Sequence, residues 1–441
     1  MSHTSEFNDE RRQALAGRSN IGPVGLLWAR QAPKNWKITT LQRLFTVSSG
    51  DFLSPGDLQE DGYPVFGGNG FRGYFSNINC PPNTMLIGRY GALCGNVHIP
   101  SEPFWATEHA FRVRPLLQYH QPFVARYVEA LALRHLAARA AQPGLNSRMV
   151  REQAIALPDL ATQREIADFL DRETARIDLL IEKKQRLVAL LGEKYDAAIA
   201  HFVTKGVNAN VRMKHSGEDW LGEIPAHWDV VPPTALFTES KERAHEGDEM
   251  LSATQKYGVI PLAEFEALEK RQVTKAFTNL EKRKHVEIGD FVISMRSMDG
   301  GLERAHATGS VRSSYSVLKA GPEVNGRFFG AVLKSSLYIQ ALRLTSNFIR
   351  DGQDMNFGHF RKVRLPKPPI GEQAEIANLL DEKTTRLKSL ASKANASVAL
   401  LKEYRSALIT AAVAGQIDVQ TYARSGTTDR RLDAIQEEMN A

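Results

Sequence analysis

Apolar residues in "TQREIADFLDRETARIDLLIEKKQRLVALL" (Thr162–Leu191) recur at spacings of three, four and seven: Ile166, Leu170, Ile177, Leu180, Leu187 and Leu191. Polar and charged residues fill most of the places between them. That is the seam of a long amphipathic helix of coiled-coil type. A second stretch, "EQAEIANLLDEKTTRLKSLASKANASVALL" (Glu372–Leu401), has the same pattern at Ile376, Leu380, Leu387, Leu390 and Leu401. Neither stretch contains proline, and each follows a breaker, "LPDLAT" from Leu157 and "LPKPPIGE" from Leu365. Proline cannot sit in a helix interior, so the second helix is expected to start near Gly371. The two stretches are copies. Gln163 matches Gln373, Glu165 matches Glu375, Leu170–Asp171 match Leu380–Asp381, Arg176 matches Arg386, and Val188–Leu191 match Val398–Leu401, all in one ungapped register. About forty residues at ~1.5 Å each make a rod of roughly 60 Å. A rod with one narrow apolar stripe needs a partner, and the other copy is at hand, so an antiparallel coiled coil is expected.

A shorter repeat precedes each helix. "WARQAPKNW" carries Trp28, Pro33 and Trp36, and "WLGEIPAHW" carries Trp220, Pro225 and Trp228; Leu44–Phe45 then match Leu236–Phe237. The unit is therefore an aromatic-proline-aromatic lead-in, a globular stretch, a proline-bearing linker and a long helix, present twice. The globular stretches, about 37–150 and 229–360, show no such match. Each alternates short β-branched and aromatic runs ("TMLIGRYG", "DFVISMRS") with helix-like ones ("PFVARYVEALALRHLAARA", "GRFFGAVLKSSLYIQALRL"). The expected fold class is α/β (α+β): two heads joined by two long helices, with a pseudo-two-fold internal repeat. Two different heads on one repeated frame suit the reading of two different things at a fixed separation, and DNA is such a target.

The chain has 441 residues, a net charge of +6 and a pI near 9.1. The positive balance fits a nucleic-acid binder, since Lys and Arg neutralise phosphates. No apolar run is long enough to span a bilayer, and "MSHTSEFNDERRQALAGRSN" has the look of a polar leader rather than a secretory signal. The two cysteines, Cys80 and Cys94, are expected as reduced thiols in a cytoplasmic protein, and no Cys/His cluster has zinc spacing.

Catalytic signatures are missing. "NINCPPNTM" (Asn77–Met85) is the nearest approach to the Asn/Asp-Pro-Pro-aromatic motif of an amine methyltransferase, but Cys80 precedes its prolines and no aromatic follows. There is no Walker A sequence, and "GGNGFRG" (Gly67–Gly73) is not a dinucleotide fingerprint after a strand. "EKK" (Glu182–Lys184) lies inside the helix, away from any acidic cluster.

"DWLGEIPAHW" (Asp219–Trp228), "PPIGEQAEIANLLDEKT" (Pro368–Thr384) and "QREIADFLDRETARIDLLIEKK" (Gln163–Lys184) resemble the specificity subunit of Type I restriction–modification systems. "YPVFGGNGFRGYF" (Tyr63–Phe75) and "GDFVISMRSMDGGLERA" (Gly289–Ala305) look like parts of that family's target-recognition domains. The resemblance covers about 28–415. It implies a leader (1–27), a first recognition domain (28–158), a first spacer helix (159–206), a second recognition domain (207–366), a second spacer helix (367–415) and a C-terminal tail (416–441). It implies a subunit without catalytic activity, whose two domains each read half of a bipartite, asymmetric site in double-stranded DNA. The helices would set the spacer and bind the modification subunits, expected to be two, which methylate adenine. S-adenosylmethionine, ATP and Mg are expected on those partners and on the restriction subunits, and none on this chain. The first copy's "PDLATQ" departs from the family's proline-rich form.

Base readout needs Arg, Lys, Asn, Gln or Ser/Thr at base edges, with glycine to let the backbone approach. The first head offers Asn69, Arg72, Tyr74, Arg89 and Tyr90. The second offers Gln255, Lys256, Tyr257, Arg296, Ser297, Asn347, Arg350 and Gln353. "EKRKH" (Glu281–His285) and "FRKVR" (Phe360–Arg364) suit phosphate contacts. The same frame would also serve a scaffold binding two proteins, distinguishable by salt-insensitive association and no retention on DNA at low salt.

Overall fold

A computed structural model describes residues 32–91, 93–137, 144–273, 280–294, 297–345 and 355–440. The leader, Trp28, Arg296, Asn347, Arg350 and Gln353 lie outside the described residues. The chain divides into two compact units, Met1–Arg186 with Lys393–Ala441, and Leu187–Ser392. The long helices run Leu160–Lys205 and Ile370–Val413, so each unit owns one half of each.

In the first unit the lead-in turn is closed by the Trp36 amide donating to the Pro33 carbonyl (2.9 Å). Strand Lys37–Thr40 then pairs antiparallel with Ala154–Leu157, the strand that feeds the long helix. A four-stranded antiparallel sheet follows, in the order Phe45–Ser49, Ala110–Pro115, Leu86–Gly88, Val97–His98. Helix Gln121–Ala130 packs Phe123, Val124, Tyr127 and Val128 into a core shared with Ile166, Leu170 and Ile177 of the first long helix and Val398, Leu401, Leu408 and Ile409 of the second. A three-stranded sheet, Gly70–Phe75, Tyr63–Gly67, Trp105–Ala106, stands beside it. Cys80 and Cys94 are both free and buried, and burial pushes both thiols up from their ordinary range.

The second unit repeats this plan. The Trp228 amide donates to Pro225 (3.0 Å). Strand Asp229–Val231 pairs with Leu365–Lys367, which feeds the second long helix. Its four-stranded sheet has the order Phe237–Ser240, Ser316–Ala320, Phe291–Ile293, Glu303–Arg304, again antiparallel throughout. The two heads, which show no sequence match, thus share one sheet order. The equivalence was hidden because alternation constrains only which positions are apolar, not which residues fill them.

A buried glutamine ties each long helix to its head. Gln163 accepts from the His120 amide (2.8 Å) and donates to the Pro158 carbonyl (2.8 Å). Gln373 accepts from the Asn325 amide (2.8 Å) and donates to Pro368 (2.9 Å) and Glu323 (3.1 Å). The matched aspartates act alike: Arg126 pairs with Asp171 (3.0 Å), and Arg327 with Asp381 (2.9 Å). Each long helix ends in a left-handed glycine, Gly206 (φ 70°) and Gly415 (φ 69°). A Cβ on Gly206 would stand 2.9 Å from the Glu372 carboxylate and 3.1 Å from the Trp228 ring, and one on Gly415 would run into Pro33 and stand 3.1 Å from the Trp36 ring, so the left-handed backbone and the lead-in packed against it both favour a residue without a side chain.

The long helices run antiparallel within the second unit: Lys388 lies over the Tyr195 ring (5.7 Å) and Lys383 over Phe202 (5.7 Å), one number falling as the other rises. In the first unit Arg405 bridges Asp178 (2.9 Å) and Glu129 (3.1 Å). The expected seam needs correction in its middle. Ile166, Leu170, Ile177, Ile376, Leu380 and Leu401 are buried, whereas Leu180, Leu191 and Leu387 are only partly covered. Leu187 (39% exposed) and Leu390 (44%) face solvent. The buried seam residues are core residues of the heads as well as helix–helix contacts, because each head seals the start of its own helix. The C-terminal stretch, expected as a tail, forms helices Val419–Arg424 and Thr427–Asn440 that dock on the first long helix. Asp429 pairs with Arg176, Gln436 accepts from Lys184 (2.8 Å), and Ile435 is buried.

Candidate nucleic-acid interface

In the first head, strands Tyr63–Gly67 and Gly70–Phe75 form a hairpin whose turn is Gly67-Gly68-Asn69-Gly70. Gly70 has φ 99°, a conformation that a residue with a Cβ adopts only with strain. Asn69 and Arg72 are exposed, and Tyr74 is at the surface with its ring 5.1 Å from Phe71. Gly68 lets this turn touch the loop carrying Arg89 and Tyr90: a Cβ there would meet the Tyr90 carbonyl at 2.8 Å. The structure thus brings all five expected residues of this head into one area. Their roles differ. Arg89 is half-buried, donates to the Ser49 hydroxyl (2.9 Å), and stacks on Tyr90 (4.6 Å) and Phe111 (5.3 Å). It braces the loop, while Arg72, its stem lying across Gly67, stays exposed.

Sequence reasoning passed over Phe71, which is 55% exposed on the same hairpin. The signal was available: an aromatic beside an arginine in a glycine-rich turn offers a face on which a base can stack. Arg112 was also missed; it ties the sheet to the adjacent loop through Asp51 (3.0 Å) and the Ser49 carbonyl (2.8 Å).

In the second head, four of the expected residues are described, Gln255, Lys256, Tyr257 and Ser297, and each is engaged with its own head. Strands Leu251–Thr254 and Gly258–Pro261 form a hairpin with Gln255, Lys256 and Tyr257 at its turn. The Gln255 side chain lies against Gly300, where a Cβ would stand 2.6 Å away, and the Gln255 backbone carbonyl accepts from Lys334 (2.7 Å). Lys256 is 3.4 Å from Glu269 and lies over the Tyr257 ring (4.6 Å), while the Tyr257 hydroxyl donates to Glu269 (3.0 Å). Ser297 requires correction. It is fully buried, and its hydroxyl accepts from the Ser294 amide (2.9 Å), closing a turn rather than facing a base. Two arginines of the basic runs are likewise engaged with backbone: Arg283 donates to the Ser310 carbonyl (2.5 Å) and Arg364 to Val230 (2.7 Å). Beneath the hairpin, burial pushes the Glu303 carboxyl up, opposed by Lys334 at 2.7 Å.

Among the described residues, no helix is long and apolar enough to cross a membrane. Residues 33–189 match the family model of the Type I restriction modification DNA specificity domain. A curated relative, the Type I restriction enzyme EcoprrI specificity subunit of Escherichia coli, is 35% identical over 141 residues, which are 31% of this chain and 35% of that protein. The EcoBI specificity subunit of Escherichia coli is 20% identical over 293 residues, 64% of this chain and 62% of that one. The matches therefore span about a third and under two thirds of these relatives' lengths. A solved chain from a study of complex assembly in a type I R-M system superposes with a TM-score of 0.62 at 14% identity, covering 88% of this chain and 99% of that one, and so shares the fold. Over residues 33–189 the chain is thus similar to Type I restriction–modification specificity subunits, and over most of its length it shares the fold of the solved chain.

Proposed function

We propose that this chain is the non-catalytic subunit that gives a Type I restriction–modification complex its DNA sequence. Each head reads one half of a bipartite, asymmetric site in double-stranded DNA. The long helices set the gap between halves and dock the adenine-N6 methyltransferase subunits, with restriction subunits joining to make the nuclease. S-adenosylmethionine, ATP and Mg belong to those partners.

The observation that carries this reading is the pairing of one frame with two unlike surfaces. The buried glutamine, the proline–tryptophan turn and the sheet order recur in both units. The first head presents an exposed Asn-Phe-Arg-Tyr hairpin; the second presents a hairpin whose charges are paired at home. A protein that must read two different half-sites needs this combination, since the frame can stay fixed while the reading surfaces diverge. The solvent-facing leucines of the second unit, Leu187, Leu190 and Leu390, supply the apolar surface for the methyltransferase subunits.

The test is a methylome. The chain is expressed with its modification subunit in a host lacking adenine methylation, and native DNA is sequenced for N6-methyladenine. A split motif, two short defined halves around a fixed gap, is the expected result. No motif, from a modification subunit that works with another specificity partner, would remove the DNA reading and favour the protein scaffold.

A further inference from the structure

We propose that Glu242, His245 and His285 in the second head bind one divalent cation of the zinc class, with Asp248 as the group that orients His285. The site lies where the loop after strand Phe237–Ser240 crosses strand Lys284–Val286, and it is separate from the hairpin surface described above.

The four side chains are placed by backbone before any ion arrives. The His285 amide donates to the Glu242 carbonyl (3.1 Å), and the Ala244 amide to the Arg283 carbonyl (3.0 Å), so loop and strand are pinned at the site. Arg243 adds a bond from its guanidinium to the Lys282 carbonyl (2.7 Å). His285 is buried, and its Nδ1 lies 2.9 Å from Asp248 Oδ2. The same carboxylate oxygen accepts from the His245 amide (2.9 Å), which fixes the carboxylate in turn. A carboxylate on one imidazole nitrogen fixes the tautomer and leaves the other nitrogen, Nε2, with its lone pair free; this carboxylate–histidine arrangement typically supports metal-ligating histidines.

His245 stacks on His285 with ring centroids 4.0 Å apart and an interplanar angle of 22°. Its Nε2 is 3.0 Å from Glu242 Oε1. One donor atom from each of the three residues falls within 4.8 Å of the others. Tetrahedral zinc with bonds near 2.0–2.1 Å needs donors roughly 3.3 Å apart. Lone pairs on near-parallel stacked rings do not converge, so an ion must turn the exposed His245 out of the stack and replace its contact with Glu242, while buried His285 stays in place. Lys319 reaches Glu242 only at 3.8 Å and is held elsewhere by Glu287 (2.6 Å) and Asp290 (3.4 Å), so the Glu242 carboxylate stays available. Two imidazoles and one carboxylate suit a borderline cation, with water as the fourth ligand. A bound ion would join loop to strand and stabilise the second head.

The experiment uses the full-length chain after chelator treatment, titrated with cobalt(II) and then zinc. Expected are one equivalent of cobalt with the visible absorption of a four-coordinate ion, its displacement by zinc, and a melting temperature that rises with added zinc and falls back with chelator. His245→Ala and Glu242→Gln change exposed residues and are expected to abolish the band and the zinc-dependent rise, while His215→Ala, on an exposed histidine of the same unit, keeps both. Absence of saturable uptake overturns the proposal. So does uptake that persists in His245→Ala, which leaves the cluster as a hydrogen-bonded network. No readout involves DNA, so failure here leaves the DNA reading untouched.

Discussion

The two units put the same frame to different use. In the second, Trp228 is fully buried and its indole donates to Glu372 (3.0 Å), and Gln373 makes three hydrogen bonds. In the first, Trp36 is half-buried and Gln163 makes two among the described residues. The first unit adds its C-terminal helices, which cover the long helix over Phe169, Arg176 and Lys184; on the second long helix the matched Leu379 is half-buried and Ala394 fully buried, while Arg386 and Leu390 between them are exposed. A frame can therefore repeat while the contacts that hold its described parts differ, with a docked tail added in the first unit.

The largest test of that difference is the tryptophan pair. Trp228→Ala removes a fully buried ring and orphans a carboxylate contact, and should cost about 4 kcal/mol, with Trp36→Ala about half as much. Urea unfolding checks both, and equal costs would break the comparison. The glutamines come next. Gln373→Ala should cost about 3 kcal/mol and Gln163→Ala about 2, because one more buried partner is left unpaired in the first case. Removal of residues after Gln416 should speed hydrogen exchange over residues 169–184 and leave 379–394 unchanged; a global effect would show that the tail does more than cover its own unit.

On the reading surfaces, Arg72→Ala should weaken DNA retention about tenfold, while Lys256→Ala, already paired with Glu269, should change it less than about threefold. Filter binding at several salt concentrations separates the two. The smallest effect on stability is expected from Leu187→Lys. The residue faces solvent, so the change should stay within about 0.5 kcal/mol. Co-purification of the methyltransferase subunit should nevertheless fall, and unchanged assembly would take Leu187 out of the docking surface.

Much of the frame could be read from the chain. The seam residues Ile166, Leu170, Ile376 and Leu380 announced both helices, because burial repeats with the helical period. The duplicated Gln163 and Gln373 were visible as matched letters, but their purpose was not: nothing local shows that a glutamine on a helix will reach the backbone ahead of a distant helix, at His120 or Asn325. Leu187 and Leu390 obey the seam pattern and yet face solvent, since period alone does not say whether a partner surface is present. The composition around Ser297 suits a base reader; only the fold reveals its hydroxyl closing a turn.

By itself, then, the sequence determined the repeat, the two long helices, their family resemblance and the absence of catalytic motifs, because these live in spacing and residue type. Tertiary structure decided the rest. It gave unlike heads one sheet order, set Arg89 to brace and left Arg72 exposed, folded the tail onto the first helix, and gathered Glu242, His245, Asp248 and His285 into one corner. Each of these depends on which distant segments meet, and the pattern of letters along one segment carries no record of that.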